Sequence, residues 1–466
     1  MKNKHQDPQF MIQGSIMKVI LTISAPLMFN NLVRTFYTLI DGLYVAQISA
    51  EDFAATAYTW PVNFLFISIG MGLGVAATAL ISRYLGGKEL TKAKDYILNT
   101  LSLTVLTGSI FSILGVLLTA SMIAWMGATG IFYDKAVIYL QINFIGLFFD
   151  FTFYGYQSIL NAQGRTKVIT QMSVISMLVN IVLDPIFIFD RVPFLNIAGL
   201  GWGVAGAAFA TVISKVVLYV LAARVVHQDK TLSLPFGKWQ HDKSVWMHIV
   251  HIAVPSAMGY SGAALGFTIM NAVIQAYGTN TLAAFSMVNR ISDVLMQPQL
   301  GVGMALTSII GQNIGAGDFV RVRKIFKRAT QFILCMSVIA SILMVVFHNP
   351  ILGIFIKGNA DADLWYQAKE YLDYTAFIIF FMGLFSALNG VFQGMGQTKY
   401  SMTMSIGRLW VLRIPMVIAF NQWTNLGSTG IWIAMLLSNM LIVVYGYTVY
   451  YKKPWEQILN LKPSKI

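Results

Sequence analysis

The sequence predicts an all-α integral membrane protein of twelve transmembrane helices arranged as two six-helix repeats. Three observations carry that reading. Of the 466 residues, 56% are hydrophobic and only 11% are charged, where soluble proteins carry about 25% charged residues. Twelve stretches are apolar over the roughly 20 residues that a helix needs to cross hydrocarbon. The second half of the chain repeats features of the first at an offset of about 229 residues.

The predicted spans are 17–45, 54–82, 96–126, 133–161, 168–190, 202–225, 247–277, 282–312, 327–349, 366–394, 400–421 and 428–451. Each is read as a helix because inside hydrocarbon the backbone has no water and must satisfy its own polar groups. About 16 polar, Lys-containing residues precede the first span and no small-residue cleavage site follows them, so it is read as a retained helix rather than a signal peptide. An even number of spans puts both termini on one side.

Basic residues say which side. Alternate loops and the two ends hold 23 of the 32 Lys and Arg residues, whereas the opposite loops hold only Lys135, Arg191, Lys357 and Lys369. The positive-inside rule then makes both termini cytoplasmic, in a multi-pass protein of the cell membrane. The net charge of +13 therefore reads as topology and not as a nucleic-acid surface, since a binding patch would gather on one module. The single cysteine, Cys335, excludes an internal disulfide framework or a cysteine zinc site.

The repeat is visible residue by residue. Ala25-Pro26 matches Val254-Pro255, Gly72-Leu-Gly74 matches Gly301-Val-Gly303, and Gly164-Arg-Thr-Lys167 matches Gly396-Gln-Thr-Lys399. The expected organisation is an N-terminal lobe over 1–227, a cytoplasmic linker over 228–245 containing Pro235-Phe-Gly237, and a C-terminal lobe over 246–466 with a cytoplasmic tail. An even number of spans separates equivalent positions, so the copies share an orientation, with an axis along the membrane normal. Two such bundles with a cavity between them suit alternating access, which points to a transporter.

Charges inside the spans are the candidate working parts, because a charged side chain at the bilayer centre costs about 3 kcal/mol and faces a cavity or a partner. The candidate acids among them are Asp41, Asp150, Asp184 and Asp293. Asp41 and Asp184 fall at similar depth near the outer ends of the first and fifth spans, and Asn180 lies one turn below Asp184 on the same face. Tyr37 lies one turn before Asp41, and Pro26 and Pro185 permit local bending. Asp41, Asp184, Asn180 and the Thr211 hydroxyl form an oxygen-rich set suited to sodium. Alternatively, one of two neighbouring carboxylates can take up and release a proton.

Asp293 follows Arg290 by three residues and is expected to pair with it on one helix face. Asp150 is expected to neutralise Arg34 or another cation of its lobe. Arg408 and Arg413 make the C-terminal interior positive; they are read as pairing with acids, lying in the cytoplasmic vestibule, or meeting an anionic group on the cargo. The glycines of 70–74, 199–206 and 259–266 suit close helix approach. His248 and His251 lack acidic or cysteine companions and are read as interfacial rather than metal-binding.

The chain resembles the multidrug and toxic compound extrusion (MATE) family over essentially its whole length. Ser24-Ala-Pro26, Leu39-Ile-Asp41-Gly, Gly70-Met-Gly-Leu-Gly74, Arg83-Tyr-Leu-Gly-Gly87, Asn161-Ala-Gln-Gly-Arg-Thr-Lys167 and Asn180-Ile-Val-Leu-Asp184-Pro carry the resemblance in order. It implies a V-shaped pair of lobes that exports amphipathic, often cationic, drugs or toxic organic compounds in exchange for protons or sodium. It also implies coupling-ion roles for the positions of Asp41, Asn180, Asp184 and Thr211, as in the DinF-like branch. No cofactor beyond the ion is expected, and the protein is read as a monomer in the bilayer. No Walker A pattern, His-Glu-x-x-His or Gly-x-Ser-x-Gly occurs, which speaks against ATP energy and an embedded enzyme. The competing expectation is a flippase or exporter of lipid-linked or polyanionic saccharides, which would show more than twelve helices and a cationic N-terminal lobe.

Overall fold

The computed structural model describes residues 9–193, 197–229, 240–356 and 362–459. Pro235-Phe-Gly237 of the linker, Lys357 and the last residues of the tail lie outside them. Twelve helices among the described residues are long and apolar enough to cross a membrane. They are α1 (Ile16–Ala46), α2 (Ala50–Gly86), α3 (Leu90–Trp125), α4 (Gly130–Ala162), α5 (Thr166–Ile188) and α6 (Gly203–His227), then α7 (Lys243–Gln275), α8 (Thr279–Gly315), α9 (Phe319–Val346), α10 (Ala362–Gly394), α11 (Thr398–Trp423) and α12 (Ser428–Lys452). Each contains or closely overlaps its predicted span, because apolar length alone defines a helix in hydrocarbon.

The two halves pack alike. In the first, α4 packs against α2, α3 and α6; in the second, α10 packs against α8, α9 and α12. The repeated glycines explain the match. A Cβ on Gly74 would lie 3.5 Å from the Tyr154 side chain of α4, and one on its repeat equivalent Gly303 would lie 2.7 Å from the Ser386 carbonyl of α10. Small residues at these positions let neighbouring helices approach closely, which is how bundles associate without a hydrophobic drive between helices. The same device serves α7, where Gly259 and Gly262 lie against Met402 and Ile406 of α11.

The compact units do not follow the boundary of the sequence repeat. They are residues 1–31 with 258–466, and 32–257, so neither boundary falls at the cytoplasmic linker. The first half of α1 belongs with the C-terminal helices, and the first half of α7 belongs with the N-terminal ones. Two equivalent glycines account for this. Gly301 admits α1, since a Cβ there would stand 2.6 Å from the Met28 amide nitrogen, and Gly72 admits α7, at 2.6 Å from the Ala253 carbonyl and 2.8 Å from Ala257 Cβ. Pro26 and Pro255 sit inside α1 and α7 shortly before the change of unit.

Gly72→Ala is accordingly expected to destabilise the protein by about 1–3 kcal/mol through overpacking against the Ala253 backbone. Gly353→Ala, at a glycine with open space around it, is expected to be neutral or stabilising by up to about 1 kcal/mol. Thermal unfolding of the two variants in the same detergent checks the contrast, and equal midpoints would contradict the seam.

Candidate functional site

The sequence-predicted residues of the 32–257 unit converge. Val45, Ile188 and Ala207 form a small apolar cluster with Tyr44 and Phe189, which holds the ends of α1, α5 and α6 together. A second cluster, Ile142, Ala208 and Val212 with Tyr139, fixes α4 against α6. Between these anchors, Asp41, Tyr37, Asp184, Asn180 and Thr211 face a common interior. The Tyr37 hydroxyl hydrogen-bonds the Thr211 side chain, and Asp41 and Asp184 are near enough for their charges to interact. Asn180 Nδ2 donates to Asp184 Oδ1 at 3.1 Å, and both residues are fully buried.

That one bond leaves a defined remainder. Asp41 Oδ1, Asn180 Oδ1 and Asp184 Oδ2 are buried without a hydrogen-bond partner. Buried polar atoms in native proteins are nearly always satisfied, so three unsatisfied acceptors from facing helices describe a place for a positive charge. All three are hard oxygen donors, the ligand type that suits an alkali cation. Pro185, inside α5, leaves the preceding turn without its backbone donor, so the helix is softest beside Asp184. Glu51 and Asp52 are not part of this group; Lys135 holds them at 3.5 and 3.0 Å.

Two further residues of this unit carry features that the sequence reading does not name. Tyr139 of α4 lies within electrostatic reach of both Asp41 and Asp184, and its hydroxyl bonds the Asn143 side chain. An uncharged aromatic in an apolar span carries no signal of its own, although the Tyr139 and Asn143 spacing of one turn places both on one face. Lys215 was the second omission. It pairs with Asp150 at 2.7 Å, with about a sixth of each side chain exposed (17% each). Asp150 thus meets "another cation" and not Arg34, and Gly146 makes room, since a Cβ there would stand 3.3 Å from Lys215 Cδ.

The remaining intramembrane charges lie in the other unit. Asp293 does not pair with Arg290, which is exposed: the two sit three apart on α8, but Asp293 lines a cavity and no ion pair joins them among the described residues. The cavity, of about 300 Å³, is lined by α7, α8, α10, α11 and α12, and Arg408 and Arg413 line it too. Both arginines are buried, at 4% and 2% exposure, and neither has an acidic partner among the described residues. Pairing with acids is therefore not what the described residues show. His248 accepts or donates one bond, to the Tyr96 hydroxyl at 2.8 Å. Among the described residues no three His, Cys, Asp or Glu side chains are grouped to hold a metal.

Comparison with known proteins decides what this scaffold is. The MatE family model matches residues 26–186 and again 255–418, starts that differ by the repeat offset seen in the sequence. The chain belongs to the MatE family. Relatives of this MatE transporter include the Bacillus subtilis "Probable multidrug resistance protein YoeA", 24% identical with 95% of each chain covered. Another is the Shewanella oneidensis "FAD transporter", 23% identical, covering 97% of this chain and 96% of the relative. The solved structure "Crystal structure of MATE in complex with MaL6" matches with a TM-score of 0.89 at 24% identity, covering 97% of this chain and 98% of that one. That likeness shows the fold, an all-helical membrane protein. The chain is thus a membrane transporter and not an enzyme. It shows neither feature expected of a lipid-linked saccharide flippase: its spanning helices number twelve among the described residues, and the 32–257 unit gathers acids inside.

Proposed function

We propose that this MatE transporter is an antiporter of the cell membrane, with both termini cytoplasmic, that exports amphipathic organic compounds in exchange for protons or sodium ions. The carrying observation is the set of unsatisfied oxygens from Asp41, Asn180 and Asp184. Two carboxylates facing each other in a poor dielectric repel; a proton on one, or a sodium ion between them and the Asn180 oxygen, relieves that repulsion. Coupling requires that the ion bind one conformation better than the other. Asp41 and Pro26 share α1, so neutralising Asp41 acts on the helix with a built-in site for bending.

The cargo class draws support from the relatives, one named for multidrug resistance and one for FAD transport. Orientation draws support from the 23 of 32 basic residues on alternate loops and ends. The test is transport into everted vesicles with sodium and pH gradients imposed separately, using ethidium and a fluoroquinolone as probes. One gradient is expected to drive accumulation and the other to leave it at the background of vesicles lacking the protein. Accumulation that ignores both gradients would overturn the proposal.

A further inference from the structure

The cavity of the C-terminal unit is built around positive charge. Arg408 Nη1 donates to Asn439 Oδ1 at 3.2 Å and to the Met382 sulfur, its guanidinium lies 4.7 Å from the Phe385 ring centroid, and its Nε has no partner. Arg413 donates through Nε to Ser438 Oγ at 3.1 Å, and its terminal nitrogens bond no described residue. Every one of these partners is neutral. A guanidinium carries five donors, and a buried charge left with neutral partners and spare donors is costly unless an anion completes it.

The backbone places both charges on one side. Gly407–Arg413 is a π-helical turn within α11. On a regular α-helix residues five apart would diverge by about 140°, whereas the i→i+5 bonding of a π-turn stacks them, and such turns recur at functional sites. The rest of the wall is mixed: Phe267, Phe285 and Tyr371 supply aromatic surface, and Asn271, Asn289 and Asp293 supply polar groups. Its volume, about 300 Å³, matches the small end of ligand pockets.

We propose that this cavity is a binding subsite for the anionic group of an aromatic amphipath, whose carboxylate or phosphate is held by Arg408 and Arg413. The planar guanidinium fork suits such oxyanions, and the aromatic walls take the ring system. Asp293, on the same wall, opposes a pure anion and sharpens selection for the end of the cargo that enters. The assignment of the anion as cargo rests on the export reading above; the binding site itself does not.

The test measures equilibrium binding of 2-naphthoate and of its methyl ester to the full-length protein in phosphatidylcholine nanodiscs, with no gradient. Naphthoate is expected to bind at least about tenfold more tightly than the ester, in line with the loss on truncating a buried charge contact. Arg413→Gln is expected to abolish that preference and Arg413→Lys to retain part of it. Asp293→Asn removes a like charge without touching the arginines and is expected to tighten naphthoate several-fold while leaving the ester unchanged. Equal binding of acid and ester by the unaltered protein would overturn the proposal, as would a preference that survives Arg413→Gln or is indifferent to Asp293→Asn. Failure of gradient-driven transport in vesicles would strike the export reading alone and leave the naphthoate result standing.

Discussion

Asp184→Asn is expected to reduce gradient-driven accumulation by roughly 5- to 150-fold, the range of a coupling free energy of 1–3 kcal/mol. The substitution is close to isosteric and keeps an oxygen where Asn180 Nδ2 donates at 3.1 Å, so the helix packing of this fully buried position is preserved. What disappears is the ability to hold a proton or to meet a sodium ion with a full negative charge. Asp41→Asn is expected to act in the same way. Asn180→Ala separates the ions: its unsatisfied Oδ1 is a ligand for sodium and has no role in carrying a proton, so a sodium-driven protein loses coupling and a proton-driven one largely keeps it. The measurement is vesicle accumulation beside cargo binding without a gradient. Normal coupled transport by Asp184→Asn would remove the ion site from this cluster.

The second large effect concerns Asp150 and Lys215, paired at 2.7 Å with only 17% of each side chain exposed. Removing one partner leaves the other charge buried and unpaired, which costs about 3–5 kcal/mol. Asp150→Leu and Lys215→Met are each expected to lower the thermal unfolding midpoint sharply. The double change Asp150→Leu with Lys215→Met is expected to recover most of it, because a well-packed apolar pair often replaces a buried ion pair without loss. If the double variant is as unstable as the sum of the singles, the two residues are not acting as a pair. The cycle also separates this pair from the ion site, since the double variant should still respond to the imposed gradient.

The spans and the acids were legible because hydrocarbon makes both conspicuous. Length of apolar sequence fixed the helices, and Asp41 and Asp184 stood out as charges where charges are expensive. Asn180 followed from the one-turn spacing alone. Tyr139 did not, because a neutral phenol pays no such penalty and looks like packing. Lys215 does carry a signal: one turn beyond Thr211, it is a charge inside an apolar span and shares a face with a proposed ligand. Arg290 and Asp293 misled because three residues on an α-helix still differ by about 60°, enough to put one outside and the other on a cavity wall. Arg408 and Arg413 read from the sequence as a positive interior, but the π-turn of Gly407–Arg413 that brings residues five apart onto one cavity has no signature in it.

The exchange of half-helices has a consequence for biosynthesis. Residues 32–257 form one compact unit, and its Gly72 face is covered by Ala253 and Ala257 of α7, which are made only after all six helices of the first repeat. The first repeat therefore emerges from the ribosome with an open seam and closes it with the opening turns of the second. The start of α1 waits longer still, until Gly301 has been synthesised to receive Met28. Cutting the gene at its linker would part each half from a piece of its own core, so the duplicated halves have become obligate partners in folding.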